Sequence, residues 1–192
     1  AKGLSCRRNG ELLFTGLSFE IFPGQVIWLR GQNGRGKTSL LRLLVGLSAP
    51  EEGRLTWSSP AVRNESQPSG NLLYIGHANG LKDDLTVTES LAFLARLHGR
   101  DASPDVLLGA LRKMGLQERA HAAVRTLSQG QRRRVALARL FLEHDPLLWV
   151  LDEPFDALDS GGIDSVSSLL QEHVARRGGV LLTSHLPLAL GP

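Results

Sequence analysis

Residues 31–38 read Gly-Gln-Asn-Gly-Arg-Gly-Lys-Thr, the spacing G-x-x-x-x-G-K-[ST] of a phosphate-binding loop. The glycines let the backbone wrap a phosphate with its N–H groups pointing inward. A helix opening directly afterwards adds about half a positive charge at its N-terminus. Lys37 is spaced to reach the β- and γ-phosphates of a nucleotide, and the Thr38 hydroxyl to coordinate Mg²⁺. Gly31, Asn33, Gly34, Gly36, Lys37, Thr38 and Ser39 are therefore the candidate phosphate contacts. A Gly-rich turn matching by accident is the competing reading, and chance gives roughly one such match per hundred chains of this length. A second feature lies far downstream, where the apolar run Leu147–Leu151 ends in Asp152-Glu153. Successive strand side chains face opposite ways, so the two carboxylates can do separate work. Asp152 suits the Mg²⁺ shell, usually through water, and Glu153 suits polarising the water that attacks a γ-phosphate. Alone, two acids after a strand are ordinary solvated turn residues; behind a phosphate-binding loop they are a candidate site.

Strands and helices must carry these residues. Residues 17–22 alternate loosely before the Pro23-Gly24 turn, and 25–30 (QVIWLR) form a buried strand that runs into the phosphate loop. Helical spacing follows over 39–46. Further strands are expected at 54–57 and 72–76, separated by a polar surface loop over 58–70. Thr86 and Glu89 have capping-box spacing for a helix ending near Gly99. Ser103-Pro104 starts a second helix that stops before Gly115. Ser128 and Gln131 repeat the capping box ahead of a long helix through Leu142. Pro146 breaks it, and 147–151 (LLWVL) reads as a central parallel strand. A helix over 160–177, a Gly178-Gly179 stop and a strand over 180–183 complete the chain. This alternation predicts an α/β fold around a mostly parallel sheet, with residues 79–128 as an inserted helical subdomain.

Composition narrows the class. The 192 residues are 42% hydrophobic and 21% charged, enough apolar content for one packed domain and too much for a disordered chain. Lys and Arg exceed Asp and Glu by 22 − 19 = +3, a weak balance for a nucleic-acid binder. The Arg132-Arg133-Arg134 run fans out around a helix and reads as a solvated or partner-facing helix start, not a nucleic-acid patch. Cys6 is the single cysteine, so no internal disulfide forms and a reduced, cytoplasmic setting is expected. No segment approaches the roughly 20 apolar residues of a membrane span, and no secretory signal is apparent. The six histidines show no close ligand spacing.

Between the two sites stands Leu127-Ser128-Gln129-Gly130-Gln131, followed by RRRVALAR. This resembles the signature, usually LSGGQ, of ATP-binding-cassette (ABC) ATPases. Phe155-Asp156-Ala157-Leu158-Asp159 resembles that family's D-loop, and Ser184-His185 its switch histidine. The resemblance covers essentially the whole chain. It implies a P-loop NTPase fold: a RecA-like parallel sheet core and an N-terminal antiparallel β part, about 1–78 and 129–192, around the helical subdomain of 79–128. It further implies ATP and Mg²⁺ as ligands, Glu153 and His185 as catalytic residues, and a head-to-tail dimer with a second copy of the chain. In that dimer Ser128, Gly130 and Gln131 of one copy face the nucleotide of the other, and integral membrane subunits complete the transporter. Ser128 at a helix start also reads as a simple cap.

Three positions depart from the common pattern. Gln129 replaces the first signature glycine. His77 stands where most members carry the Q-loop glutamine that contacts Mg²⁺, a role neutral imidazole can share. No aromatic residue stands near position 8 for adenine to stack on, leaving the guanidinium of Arg7 or Arg8. Together Tyr74-Ile-Gly-His77, 80–86 (GLKDDLT) and 127–140 resemble the ATP-binding subunits of haem exporters used in cytochrome c maturation. That resemblance implies a peripheral subunit on the cytoplasmic face of the bacterial inner membrane, with haem handled by other subunits. ATP would drive either haem movement or release of the haem-loaded chaperone. A motor for another cargo, or a soluble ABC ATPase acting on nucleic acid or ribosomes, stays open at this point.

Overall fold

A computed structural model describes residues 1–59, 62–65, 72–142 and 148–185. The chain opens with β1 (Lys2–Arg8) and β2 (Glu11–Leu17), antiparallel about a two-residue turn. Asn9 and Gly10 sit there at φ 50° and 84°, the left-handed pair that a tight hairpin requires. Strand pairing therefore begins well before the loosely alternating 17–22 stretch, most of which lies outside the strands; Phe19 instead exchanges backbone hydrogen bonds with Ala1. After β3 (Val26–Leu29), α1 (Lys37–Leu44) and β4 (Glu52–Arg54), the last of these returns to β1, giving a three-stranded antiparallel sheet of order β2-β1-β4.

The expected strand at 54–57 is split between β4 and β5 (Trp57–Ser59). β5 pairs with β6 (Val62–Glu65), so part of the expected 58–70 loop is a short hairpin. Residues 60–61 and 66–70 of that loop lie outside the described residues.

The second sheet is formed with β7 (Leu72–Ile75), β8 (Leu148–Leu151) and β9 (Gly179–Thr183) in the order β3-β9-β8-β7, every neighbouring pair parallel. Its central strands β8 and β9 are buried on both faces and its edge strands β3 and β7 partly so, and all four read as apolar runs. Alternation appears only in where the side chains go. Trp149, Leu151, Val180 and Leu182 enter one apolar cluster; Val150 and Leu181 enter the other, against Leu40, Leu41 and Leu44 of α1. The two clusters clamp the sheet so that its C-terminal edge presents one fixed row of loops.

Thr86 caps α2 (Val87–Leu97) with both reciprocal bonds of the capping box. α3 (Pro104–Lys113) starts on proline. Short 3₁₀ turns at Gln117–Arg119 and Val124–Thr126 lead into α4 (Gln129–Ala138). The expected long helix thus stops at Ala138 and tightens into a 3₁₀ turn over Arg139–Leu142. Here Arg139 donates to Tyr74 O (3.5 Å) and pairs with His98 Nε2 (2.9 Å), tying the turn to β7 and to the end of α2. Buried residues of α2 and α3, including Leu91, Leu107 and Leu111, share one cluster with Leu73, Ile75 and Trp149 of the sheet. The helical segment therefore has no separate core. α5 (Ser160–Ala175) begins under the Asp159 cap and β9 follows, with Gly179 serving as its first residue and not as part of the stop.

Candidate functional site

All four loops that leave the C-terminal ends of the parallel strands carry predicted residues. The phosphate loop follows β3, His77 follows β7, Asp152-Glu153 follows β8, and Ser184-His185 follows β9. Ligands of open parallel sheets bind at this edge. A cleft of about 540 Å³ opens there, lined by Asn33, Gly34, Gly36, Lys37, Thr38, Ser39, His77, Asp152, Glu153 and His185, together with Arg8, Leu13 and Asp156.

Gly34 and Gly36 stand at φ 80° and 86°, conformations that favour glycine. At Gly36 a Cβ would also press on Leu13 Cβ (3.1 Å) and Phe14 Cδ1 (3.3 Å), so the loop packs closely on the first hairpin. The Lys37 ammonium folds back along the loop, donating to Gly31 O (2.7 Å), Gln32 O (3.3 Å) and Asn33 Oδ1 (3.5 Å). Gly31 therefore supports the lysine from behind and does not line the cleft.

Asp152 is 2% exposed and joins two strands' loops: Thr38 Oγ1 donates to its Oδ2 and Thr183 Oγ1 to its Oδ1, both at 2.9 Å. Thr183 Oγ1 in turn accepts the Glu153 N–H at 2.8 Å. The Glu153 side chain is 12% exposed, its Oε2 accepting the His185 N–H (3.1 Å) and its Oε1 lying 3.4 Å from His185 Nε2. The two carboxylates have different partners, but strand pleating is not the reason. β8 ends at Leu151, and Glu153 has φ 50°, so a left-handed turn separates the two carboxylates. His77 lies with its Nδ1 3.9 Å from Asp156 Oδ2, both side chains about half exposed or more.

The structure does not bring Ser128, Gly130 and Gln131 to this cleft. They form the start of α4, where Ser128 Oγ accepts the Gln131 N–H (3.2 Å) and Gln131 Oε1 accepts the Ser128 N–H (3.0 Å). Helix geometry leaves first-turn N–H groups without intrahelical partners, and the cap satisfies only some of them. Gly130 is packed closely within its own chain, since a Cβ there would run into the Ala157 carbonyl oxygen.

Three functional-site contacts were not read from the sequence. Thr183 bridges the acids, and its signal was a lone hydroxyl ending an apolar strand. Asp156 faces His77. Arg133 is the clearest correction: the run was expected as a solvated or partner-facing helix start, and its middle residue is interior. Arg133 is 3% exposed, Arg132 pairs with Asp83 (2.7 Å), and Arg134 pairs with Asp159. Each guanidinium meets a different segment because α4 turns them about 100° apart; only Arg133 is interior, while the Arg132 and Arg134 pairs lie at the surface. Of the two adenine candidates, Arg7 is engaged by Glu51 (3.1 Å) and Gly10 O (2.9 Å), whereas Arg8 lines the cleft.

Comparison with known proteins places the chain in a family and a fold. The ABC transporter family matches residues 14–156. A cytochrome c biogenesis ATP-binding export protein, CcmA, of Aromatoleum aromaticum is 44% identical over 195 aligned positions, covering 100% of this chain and 91% of its own. The structure of an ATP-binding subunit of an ABC transporter superposes with TM-score 0.82 at 27% identity, covering 96% of this chain and 78% of that one. A dimeric ATP-binding cassette in a post-hydrolysis state with ADP and phosphate shares the fold (TM-score 0.80, 22% identity, 96% and 87% covered). The chain belongs to the ABC transporter family and, within it, to the cytochrome c biogenesis ATP-binding export proteins.

Proposed function

We propose that this chain is the ATP-hydrolysing motor of a haem exporter complex in cytochrome c biogenesis, acting as a head-to-tail dimer beneath membrane subunits that handle haem. The observation that carries the hydrolytic part is the Glu153 carboxylate held beside His185, one residue from the Asp152–Thr38 pair, in a cleft floored by the phosphate loop.

The loop's inward N–H groups and Lys37 bind the phosphates, Lys37 exchanging its loop carbonyls for stronger charge-assisted bonds. Thr38 and Asp152 offer hard oxygens 2.9 Å apart, a donor set that fits Mg²⁺ and would hold it. The ion would neutralise phosphate charge there. His77 is the third candidate beside it. Glu153 accepts the proton of the attacking water, and His185 fixes the carboxylate through its N–H and stands ready to contact the γ-phosphate. Arg8 stacks on adenine. Ser128, Gly130 and Gln131, away from their own cleft, complete the site of the second copy through the first turn of α4. Among the described residues no helix is long and apolar enough to cross a membrane. This agrees with a peripheral subunit, which we place on the cytoplasmic face of the inner membrane. Residues 79–128 remain our helical subdomain within one domain, and we assign no nucleic-acid or haem contact to this chain.

In cells whose sole copy carries Glu153→Gln, covalently bound haem in c-type cytochromes should be lost while b-type haem persists, as read by haem staining of membranes. The membrane subunits should co-purify with the variant. Normal c-type cytochromes in such cells would contradict the proposal.

A further inference from the structure

Arg133 presents a planar guanidinium in the interior, and its bonds converge on two segments of the site. One terminal nitrogen donates to Asp152 O (2.6 Å) and Glu153 O (2.9 Å). The other donates to Gly76 O (2.8 Å) and Asn79 Oδ1 (3.1 Å). The first pair of carbonyls brackets Glu153, whose left-handed backbone a non-glycine residue keeps only when its surroundings enforce it. The second pair brackets His77 in sequence. Burial holds the guanidinium's pKa below its usual range, against the pull of Asp156, Asp152 and Glu153.

The helix that carries Arg133 grips the same segment twice more. Gly130 abuts the Ala157 carbonyl, and Arg134 pairs with Asp159, the cap of α5. Residues 152–159 are thus fastened to α4 along their length, and Ser128 caps the start of α4.

We propose that Arg133 is a positioning residue for hydrolysis. It fixes the Glu153 backbone and the His77 loop to α4, so that the carboxylate is aimed only when α4 is seated. This rests on the reading of Glu153 as the group that takes the water's proton. Any shift of the α4 start is conveyed to Glu153 of the same chain through a rigid fork. Lysine cannot replace that fork, having one nitrogen to serve two segments.

The test compares ATP turnover of Arg133→Gln and Arg133→Lys with that of the unaltered chain, well below each variant's Tm. Arg133→Gln should lower kcat about 100-fold with KM for ATP within about twofold, the effect of a misplaced reacting group. Arg133→Lys should fall between. A role in folding alone would lower Tm and leave kcat in place. Combined with Glu153→Gln, Arg133→Gln should cause no further loss of residual turnover, because the group it aims is already gone. Should Arg133→Gln fail to fold, Asn79→Ala removes one contact and should still lower kcat several-fold at constant KM. Unchanged kcat in the folded variants, or losses that multiply in the double variant, would overturn the proposal. Full turnover in Glu153→Gln alone would instead overturn the base assignment and this proposal with it.

Discussion

Glu153→Gln is expected to cut ATP turnover by at least about 100-fold while ATP affinity stays within about twofold, since a positioned base contributes about 10²–10⁴. The substitution keeps shape and removes only the capacity to take a proton. Its remaining oxygen can still accept the His185 N–H, and the Glu153 N–H still reaches Thr183. Neither the phosphate loop nor the Asp152–Thr38 pair is touched, so binding has no reason to change. A stopped variant that still binds ATP would then accumulate in its nucleotide-loaded form. Single-turnover and steady-state assays read the rate, and titration with a fluorescent nucleotide reads the affinity. Turnover near that of the unaltered chain would remove Glu153 from the mechanism.

Lys37→Ala is expected to fail earlier, at binding. A bond from an ammonium to a charged acceptor contributes about 1.5–3 kcal/mol, and Lys37 is placed to make more than one. Losing them should raise the Kd for ATP about 100-fold or more, each 1.4 kcal/mol being tenfold. Folding should suffer little, because the lysine's bonds to Gly31, Gln32 and Asn33 are all solvent-exposed. Calorimetric titration with ATP and thermal melting of the free chain separate the two effects. ATP affinity within a few-fold of the unaltered chain would contradict the loop assignment.

The site was legible where chemistry forces both residue type and spacing. A loop that wraps phosphate needs glycines before a lysine and a hydroxyl, so 31–38 announced itself, and the capping boxes at Thr86 and Ser128 form as their spacing requires. The parallel sheet was legible because its strands are short and largely apolar, with the central pair β8 and β9 buried. What escaped is set by tertiary contact. The opening hairpin carried a signal in Asn9-Gly10, but β1 and β2 contain Gly3 and Gly16 at positive φ and register shifts that blur alternation. α4 gives way at Arg139, whose guanidinium serves Tyr74 and His98, partners remote in sequence. The arginine run misled for the same reason. Nothing local distinguishes an arginine whose acceptors lie 19, 20, 54 and 57 residues away from one that meets water.

Lys37 lines the cleft and Ser128 does not, and the account requires them to meet only between two chains. The sharpest measurement is therefore complementation between two inactive variants, Lys37→Ala and Ser128→Arg, assayed for ATP hydrolysis separately and after mixing. In a mixed dimer one site combines the intact phosphate loop of one copy with the intact α4 start of the other. Hydrolysis should be absent from either variant alone and return on mixing. A mixture as inactive as its parts would contradict a nucleotide site shared between two copies.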